Sequence, residues 1–222
     1  LKVGRLDWAG NFDWSQTKNV IFRTTWDYYN RFDEFTVWLD KVSKVTNIIN
    51  PKSIIKWNMD KHYLLDLSEK GINIPKTVFI NKGDENTLQE HLNTSNFAKG
   101  VLKPTFSGGG RHTYLLDTTN SSEYETIFSE LISVEDMMLQ EFQENIVTKG
   151  EISMMVMGGK FTHAVIKTAK KGDFRVQDDF GGTVKEHNPT SEEIQFAEHA
   201  FAACPKPPLY GRADIFYDNN NE

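Results

Sequence analysis

The chain carries 222 residues, with 31 acidic side chains against 25 lysines and arginines and a formal net charge of -6. That balance excludes a nucleic-acid binder working through a basic surface, although a local basic cluster can still hold a small anion. Aromatic residues at 12% exclude a disordered polymer, and an apolar content of 38% is enough for one large α/β unit or two small lobes.

The first stretch is rich in tryptophan (Trp8, Trp14, Trp26, Trp38). Within it Asn19 to Arg23 reads as a strand, Phe32 to Val42 places Phe35, Trp38, Leu39 and Val42 at helical spacing, and Ile48-Ile49 before Asn50-Pro51 reads as a second strand. Asn58 is an N-cap for a helix to about Lys70, stopped by Gly71. Pro75 introduces a strand from Thr77 to Asn81, and Thr87 with Glu90 forms a capping box. Gly100 to Pro104 is a strand running into Ser107-Gly108-Gly109-Gly110-Arg111, followed by a strand from His112 to Leu116. Ser122 and Glu125 make a second capping box for a helix with Tyr124, Ile127, Phe128, Leu131 and Ile132 on one face. Strands are then expected over Met137 to Phe142, Glu151 to Met157 and Lys160 to Lys167, the last two joined by a Gly158-Gly159 hairpin, with a third near Phe174 to Gln177 leading to Gly181-Gly182. Thr190 and Glu193 cap a helix with Ile194, Ala197, Phe201 and Cys204 inward, and Leu209 to Tyr217 alternates as a final strand.

Lys61 would occupy the first turn of the helix begun at Asn58, where the positive end of the dipole disfavours a cation. A bound anion removes the conflict; a solvated lysine offset by Asp60 is the other reading. Lys103 stands at the mouth of the glycine loop, whose backbone N–H groups can approach a phosphate closely. The loop is neither a P-loop nor a dinucleotide fingerprint, and a flexible connection is its plain alternative. Lys160 to Gln177 holds a local net charge of +4, which suits an anionic ligand or a hydrated basic edge. Inside it Lys167 shares a strand face with Phe161, His163 and Val165 by period-2 counting. Asp214, on a face with Tyr210, Arg212 and Phe216, is a poor strand residue that needs a cation, either Arg212 or a divalent metal. The six histidines show no zinc spacing. Cys204 reads as a buried thiol, and a single cysteine is what a reducing cytoplasm produces. No apolar run reaches membrane-spanning length and no secretory pattern opens the chain. A soluble cytoplasmic protein without nucleic-acid or membrane partners is expected.

Taken in order, these pieces resemble the ATP-grasp superfamily. Asn58-Met59-Asp60-Lys61, Gly71 to Thr77, and Val101-Leu102-Lys103-Pro104 with Gly108-Gly109-Gly110 are similar to its first nucleotide-binding lobe, and Gln140-Glu141-Phe142-Gln143 to its interlobe hinge. Gly150-Glu151, His163 to Lys167, Phe174-Arg175-Val176-Gln177 with Gly181-Gly182, and Arg212-Ala213-Asp214 are similar to the second lobe. The resemblance covers about residues 54 to 217 and is greatest to glutathione synthetase-like and ribosomal-protein glutamate ligase-like members and to the cyclo-ligase that forms D-cycloserine. It implies an α/β protein of two α+β lobes clamping ATP, 54–140 and 141–222, preceded by a partial N-terminal α/β lobe, 1–53.

The resemblance also implies roles. Lys61 and Lys103 would hold the α- and β-phosphates, and the loop with Ser107, Gly108, Gly109 and Gly110 would close over the γ-phosphate. Glu141 would accept from the adenine amino group, with the backbone around Phe142 and Gln143 reading the ring edge, and Glu151 would take the ribose hydroxyls. Asp214 would bind Mg2+ or Mn2+, while Lys167 and Arg175 would act catalytically by neutralising the phosphoryl group in transit. Arg23 and Asp27 would contribute to an acceptor site, a surface ion pair being their alternative. The implied reaction activates a small-molecule carboxylate as an acyl phosphate and joins it to an amine, releasing ADP and phosphate, and is compatible with a homo-oligomer. A nucleotide-binding module that acts through a partner without ligation is the reading from a different class. Family members continue from the aspartate strand into one carrying E-x-N, whereas this sequence stops in the turn at Glu222, so the full protein is expected to extend further at both ends.

Overall fold

The computed structural model describes residues 2–25, 27–176 and 178–222, which fall into two units, Leu1–Met59 and Asp60–Glu222. Trp26 and Gln177 lie outside the described residues. In the first unit, strand β1 (Asn19–Ile21), helix α1 (Phe32–Val42) and strand β2 (Asn47–Ile49) form a right-sized βαβ start, with β1 parallel to β2. Helix α1 buries Phe35, Leu39 and Val42 as its 3.6-residue period requires. Trp8 meets Phe35 and Trp38 edge-on at 5.2 and 5.8 Å, and its indole N–H donates to Asp27 at 2.8 Å. Helix α2 (Lys52–Met59) corrects the expected cap at Asn58, which instead lies in the last turn of α2. Pro51 is the physical reason: its carbonyl accepts the N–H groups of Ile54 and Ile55 at 2.9 and 3.2 Å, and a proline suits a helix start because the N–H it lacks would be unpaired there.

The second unit opens with a turn in which Asp60 accepts the His62 N–H at 3.0 Å, then helix α3 (Tyr63–Glu69), ended by Gly71 at φ 81°. Strands β3 (Thr77–Ile80), β4 (Lys99–Pro104), β5 (Tyr114–Asp117) and β6 (Met137–Glu141) make an antiparallel sheet in the order β3-β6-β4-β5. Helices α4 (Leu88–Ser95) and α5 (Ser121–Ile132) cover it, packing Leu88, Leu92, Phe128, Leu131 and Ile132 against Ile80, Leu102, Leu116, Met137 and Leu139. The Thr87–Glu90 capping box forms as expected. The Ser122–Glu125 box does not: Asn120 precedes α5, and Glu125 reaches across to accept the Leu88 N–H at 3.0 and 3.1 Å, capping α4 instead. His112 sits in a turn at φ 48° rather than in a strand.

Helix α6 (Glu144–Lys149), which no sequence signal marked, leads into a second antiparallel sheet of β7 (Glu151–Met157), β8 (Lys160–Thr168), β9 (Thr183–His187) and β10 (Tyr210–Ile215), ordered β10-β7-β8-β9. Helix α7 (Ser191–Ala203), with its expected Thr190–Glu193 capping box, lays Ala197 and Phe201 on Ile152, Met154, Val156 and Ala164. Cys204 is only partly buried, and burial pushes its thiol pKa up. Two expectations change here. The strand after β8 is β9, not Phe174 to Gln177; Phe174, Arg175 and Val176 are irregular, and Arg175 is held by Asp173 of the same loop. In addition, a bulge pairs Met155 with His163 but Val156 with Phe161. The extra residue, Thr162, turns Phe161 onto the α7 side, away from the face of Lys167. No helix among the described residues is long and apolar enough to cross a membrane.

Candidate functional site

Alternation along the second sheet sends Ile152, Met154, Ile166, Ala213 and Ile215 toward α7, which leaves Glu151, Ser153, Lys167, Arg212 and Asp214 on the opposite face. Register then brings them together, Glu151 opposite Lys167 and Ser153 opposite Asp214. The Lys167 Nζ lies 2.9 Å from Glu151 Oε1 and 3.6 Å from Asp214 Oδ1. Arg212 donates from Nε and its terminal nitrogen to Asp214, both at 2.7 Å, and the Ser153 hydroxyl donates at 2.5 Å. Gly150 permits this approach: at φ +90° a Cβ there would stand 2.5 Å from the Lys167 carbonyl oxygen. Burial, reinforced by Asp214, raises the Glu151 pKa. Burial also acts to raise Asp214, but Arg212, Lys167 and Ser153 outweigh it and keep that carboxyl below its usual range.

From the first sheet, Lys103 on β4 donates to Gln140 Oε1 at 3.0 Å. Burial lowers its pKa to about 8, opposed by the Glu151 carboxylate. Lys61 stands in the turn before α3, so the expected dipole conflict does not arise; what singles it out is its reach to the glycine loop. Its backbone N–H donates to the Thr105 carbonyl at 3.1 Å, and its ammonium donates to the carbonyls of Thr105 and Ser107 at 3.2 and 2.7 Å. Burial first, then Lys103, lowers its pKa to about 7. The loop itself turns through Gly109 and Gly110 at φ 59° and 75°. Arg111 anchors it, donating to Glu135 at 3.0 and 2.5 Å and to the Phe106 carbonyl at 3.1 Å, while Ser107 donates to the Arg111 carbonyl at 3.0 Å. A Cβ on Gly110 would meet the Phe180 ring at 2.9 Å. Arg175 lies over that same ring at 3.6 Å, paired with Asp173 at 2.8 Å. Arg175 therefore sits at the tip of the glycine loop, engaged with Asp173 rather than with the Glu151–Lys167–Asp214 cluster.

Between the sheets, Glu141, Phe142 and Gln143 lead from β6 into α6, the stretch expected to be a hinge. The Phe142 N–H donates to the Lys99 carbonyl at 3.0 Å, and its carbonyl accepts from Asn219 at 3.0 Å. Gln143, 4% exposed, donates back to Glu141. Sequence reasoning singled out Lys61, Lys103, Lys167 and Asp214 as oddly placed charges, and the resemblance added the roles of Glu141, Glu151 and Arg175. It named Gln140 and Arg111 only as parts of the hinge and loop motifs and missed Ser153, Glu135 and Asn219, whose roles arise from distant pairing with no local signal.

Chemically, two depressed lysines, a loop able to present backbone N–H groups and a further lysine over two carboxylates make a site that gains by taking a polyanion, which would restore full charge to the lysines. Among the described residues no three His, Cys, Asp or Glu side chains are grouped to hold a metal. Asp214, close enough to Glu151 to raise that carboxyl, nevertheless has the donor chemistry for a hard divalent cation completed by phosphate oxygens and water, the usual Mg2+ arrangement.

Comparison with known proteins bears on this geometry. Residues 65–206 match the family described as prokaryotic glutathione synthetase, ATP-grasp domain, and residues 1–50 match the N-terminal domain of D-cycloserine synthetase DcsG. The cycloserine biosynthesis protein DcsG of Streptomyces lavendulae is 27% identical over 168 residues, 73% of this chain and 56% of its own. A probable alpha-L-glutamate ligase of Vibrio atlanticus is 29% identical over 157 residues, 70% of this chain and 50% of its own. The chain thus spans about half the length of the curated relatives it matches. In fold it is similar to the crystal structure of D-cycloserine synthetase DcsG, with TM-score 0.86 at 24% identity, covering 98% of this chain and 77% of that one. It is also similar to a D-alanine–D-alanine ligase from Bacillus anthracis, with TM-score 0.54 at 18% identity, covering 72% of this chain and 51% of that one.

Proposed function

The chain belongs to the family of prokaryotic glutathione synthetase ATP-grasp domains, and from that premise we propose that it is an ATP-dependent ligase joining a small-molecule carboxylate, of an amino acid or small peptide, to an amine. The observation that carries this reading is the cluster of Lys167 on Glu151 and Asp214, at 2.9 and 3.6 Å on the face of the second sheet away from α7, together with Lys61 held against the carbonyls of the glycine loop at 3.2 and 2.7 Å.

In the first step a carboxylate oxygen attacks the γ-phosphorus of ATP. The bond to the β-phosphate oxygen breaks, ADP leaves, and an acyl phosphate forms. In the second, the amine attacks the acyl carbon, phosphate departs with the carbon–oxygen bond pair, and the amine's proton passes to phosphate or water. Little acid–base chemistry is asked of the protein, so its contribution is position and charge. Lys61 and Lys103 hold the α- and β-phosphates, and the loop of Ser107 to Arg111 covers the γ-phosphate. Glu141 and Gln143 offer their polar groups to the adenine edge, and Glu151 those of its carboxylate to the ribose. Lys167 faces the charge that builds on the phosphoryl group, and Arg175, at the loop tip, supplies a second cation on leaving Asp173. Asp214 would hold Mg2+ or Mn2+, which when bound supplies further neutralisation of the β- and γ-oxygens.

The test is phosphate release from ATP with a panel of amino acids and small peptides as acceptors. Release that depends on a particular acceptor supports the ligase. Tight ATP binding without turnover across the panel overturns it in favour of a module that binds nucleotide for a partner.

A further inference from the structure

The turn after β10, Asp218 to Glu222, folds back onto the hinge, and Asn219 is its centre. Three consecutive residues, the last two of the hinge and the first of α6, are each held by this one residue. The Asn219 Nδ2 donates to the Phe142 carbonyl at 3.0 Å, its backbone N–H donates to Gln143 Oε1 at 2.9 Å, and its Oδ1 accepts the Glu144 N–H at 2.9 Å. That last bond caps the first turn of α6, whose own preceding residue, Gln143, makes no side-chain cap. Neighbouring groups secure the turn: Asn145 donates to the Asp218 carbonyl, and Lys149 donates to Asn221 Oδ1 at 2.6 Å. The consequence for the hinge is chemical as well as mechanical. The Phe142 N–H is taken by Lys99, and the Phe142 carbonyl, already accepting from Asn219, keeps one lone pair at most for a ligand. Gln143, bonded by Asn219 on one side and to Glu141 on the other, is fixed in orientation.

We propose that Asn219 is a positioning residue for nucleotide-base recognition: its side chain holds the Phe142 carbonyl and the Glu144 N–H, and so seats the backbone N–H that orients Gln143, so that the hinge presents a single pattern of polar groups to a purine edge. Adenine offers a donor amino group beside an acceptor nitrogen, whereas guanine offers an acceptor oxygen beside a donor N–H. A hinge held in one pattern separates them, and a hinge whose Phe142 carbonyl is released and whose Gln143 can turn separates them less. The inference rests on the nucleotide-binding reading of the site.

The experiment measures binding of ATP, GTP and inorganic tripolyphosphate to the full chain and to its Asn219→Ala and Asn219→Asp variants by isothermal titration, well below each melting temperature. Asn219→Ala should weaken ATP about tenfold, the scale of losing its two side-chain hydrogen bonds, narrow the ATP-over-GTP ratio, and leave tripolyphosphate within about twofold. Asn219→Asp keeps an acceptor for the Glu144 N–H but loses the donor to Phe142. If the residue acts on the base, this variant also loses ATP preference; if it only caps α6, it behaves as wild type. Unchanged ATP and GTP affinities in Asn219→Ala, a parallel loss of tripolyphosphate, or full rescue by Asn219→Asp would each overturn the proposal. Absence of ATP binding to the wild-type chain would overturn both the proposal and the ligase reading, whereas wild-type binding with an indifferent Asn219→Ala overturns only the former.

Discussion

Nucleotide binding at pH 8 should draw protons onto the protein. In the free chain burial holds Lys61 at about 7 and Lys103 at about 8. At pH 8 about one tenth of Lys61 and about one half of Lys103 are therefore protonated, leaving about 1.4 protons to be gained on full charging. A triphosphate beside both ammonium groups favours their charged forms and should return them to full protonation. By the same arithmetic the uptake falls to about 0.6 at pH 7 and about 0.1 at pH 6. Measurement at pH 8 also avoids protons carried by the nucleotide, because a terminal phosphate with a second pKa near 6 is already ionised there. Titration calorimetry of ATP into the full chain, at one pH in buffers of different ionisation enthalpy, gives the proton number as the slope of observed enthalpy against buffer enthalpy. Lys61→Met should remove most of the protons taken up at pH 8, and Lys103→Met about half a proton of its own together with part of that at Lys61, because Lys103 helps to lower the Lys61 pKa. A slope of zero in the wild-type chain, or a slope unchanged by Lys61→Met, would refute the placement of these two lysines on the phosphates.

Three further outcomes follow from the same geometry. Arg175→Ala should lower turnover by about a hundredfold while ATP affinity stays within about threefold, as expected for a cation that acts on developing charge; parallel phosphate-release and calorimetric assays separate the two, and normal turnover removes Arg175 from the mechanism. Gly110→Ala places a Cβ 2.9 Å from the Phe180 ring at a φ of +75°, so it should cost about 1–2 kcal/mol of stability and slow turnover by disturbing the loop tip; a variant equal to wild type in urea unfolding and in rate would contradict the packing described. Glu135→Gln leaves the Arg111 guanidinium, whose side chain is 23% exposed, without its carboxylate. It should destabilise the chain by about 1–3 kcal/mol and raise the KM for ATP through the loosened glycine loop, whereas a change in kcat alone would mean that the loop is anchored elsewhere.

What could be read before the structure was known divides by the distance over which each signal acts. Helix α1 and the two capping boxes at Thr87–Glu90 and Thr190–Glu193 involve residues within one turn of each other, and the structure has them where the spacing puts them. Ser122 and Glu125 have the same spacing, yet the Glu125 carboxylate goes to Leu88, 37 positions away, because an unpaired N–H at the start of α4 competes successfully for it. Strand β9 escaped notice because it is exposed along nearly its whole length and so carries no alternation to read. The bulge at Thr162 reversed the face of Phe161 for the same kind of reason: period-2 counting assumes an unbroken ladder, and only the partner strand reveals the extra residue.

The site follows this rule with one instructive difference. Glu151 was marked only by the resemblance, whereas Lys61, Lys103, Lys167 and Asp214 were legible in themselves, because a lysine or aspartate so placed has few structural uses and its oddity is local information. Their neutral partners were not, since Gln140, Ser153 and Asn219 are ordinary residues until register or a returning turn delivers them. Asn219 is the extreme case: in the sequence it is one of three successive asparagines, and only the fold sets it apart, through bonds to Phe142, Gln143 and Glu144 at once. On the reading proposed here, chemically conspicuous groups point to what the site would bind, while the uncharged residues that hold those groups would set how selectively it binds, and the second property is written in the pairing rather than in the composition.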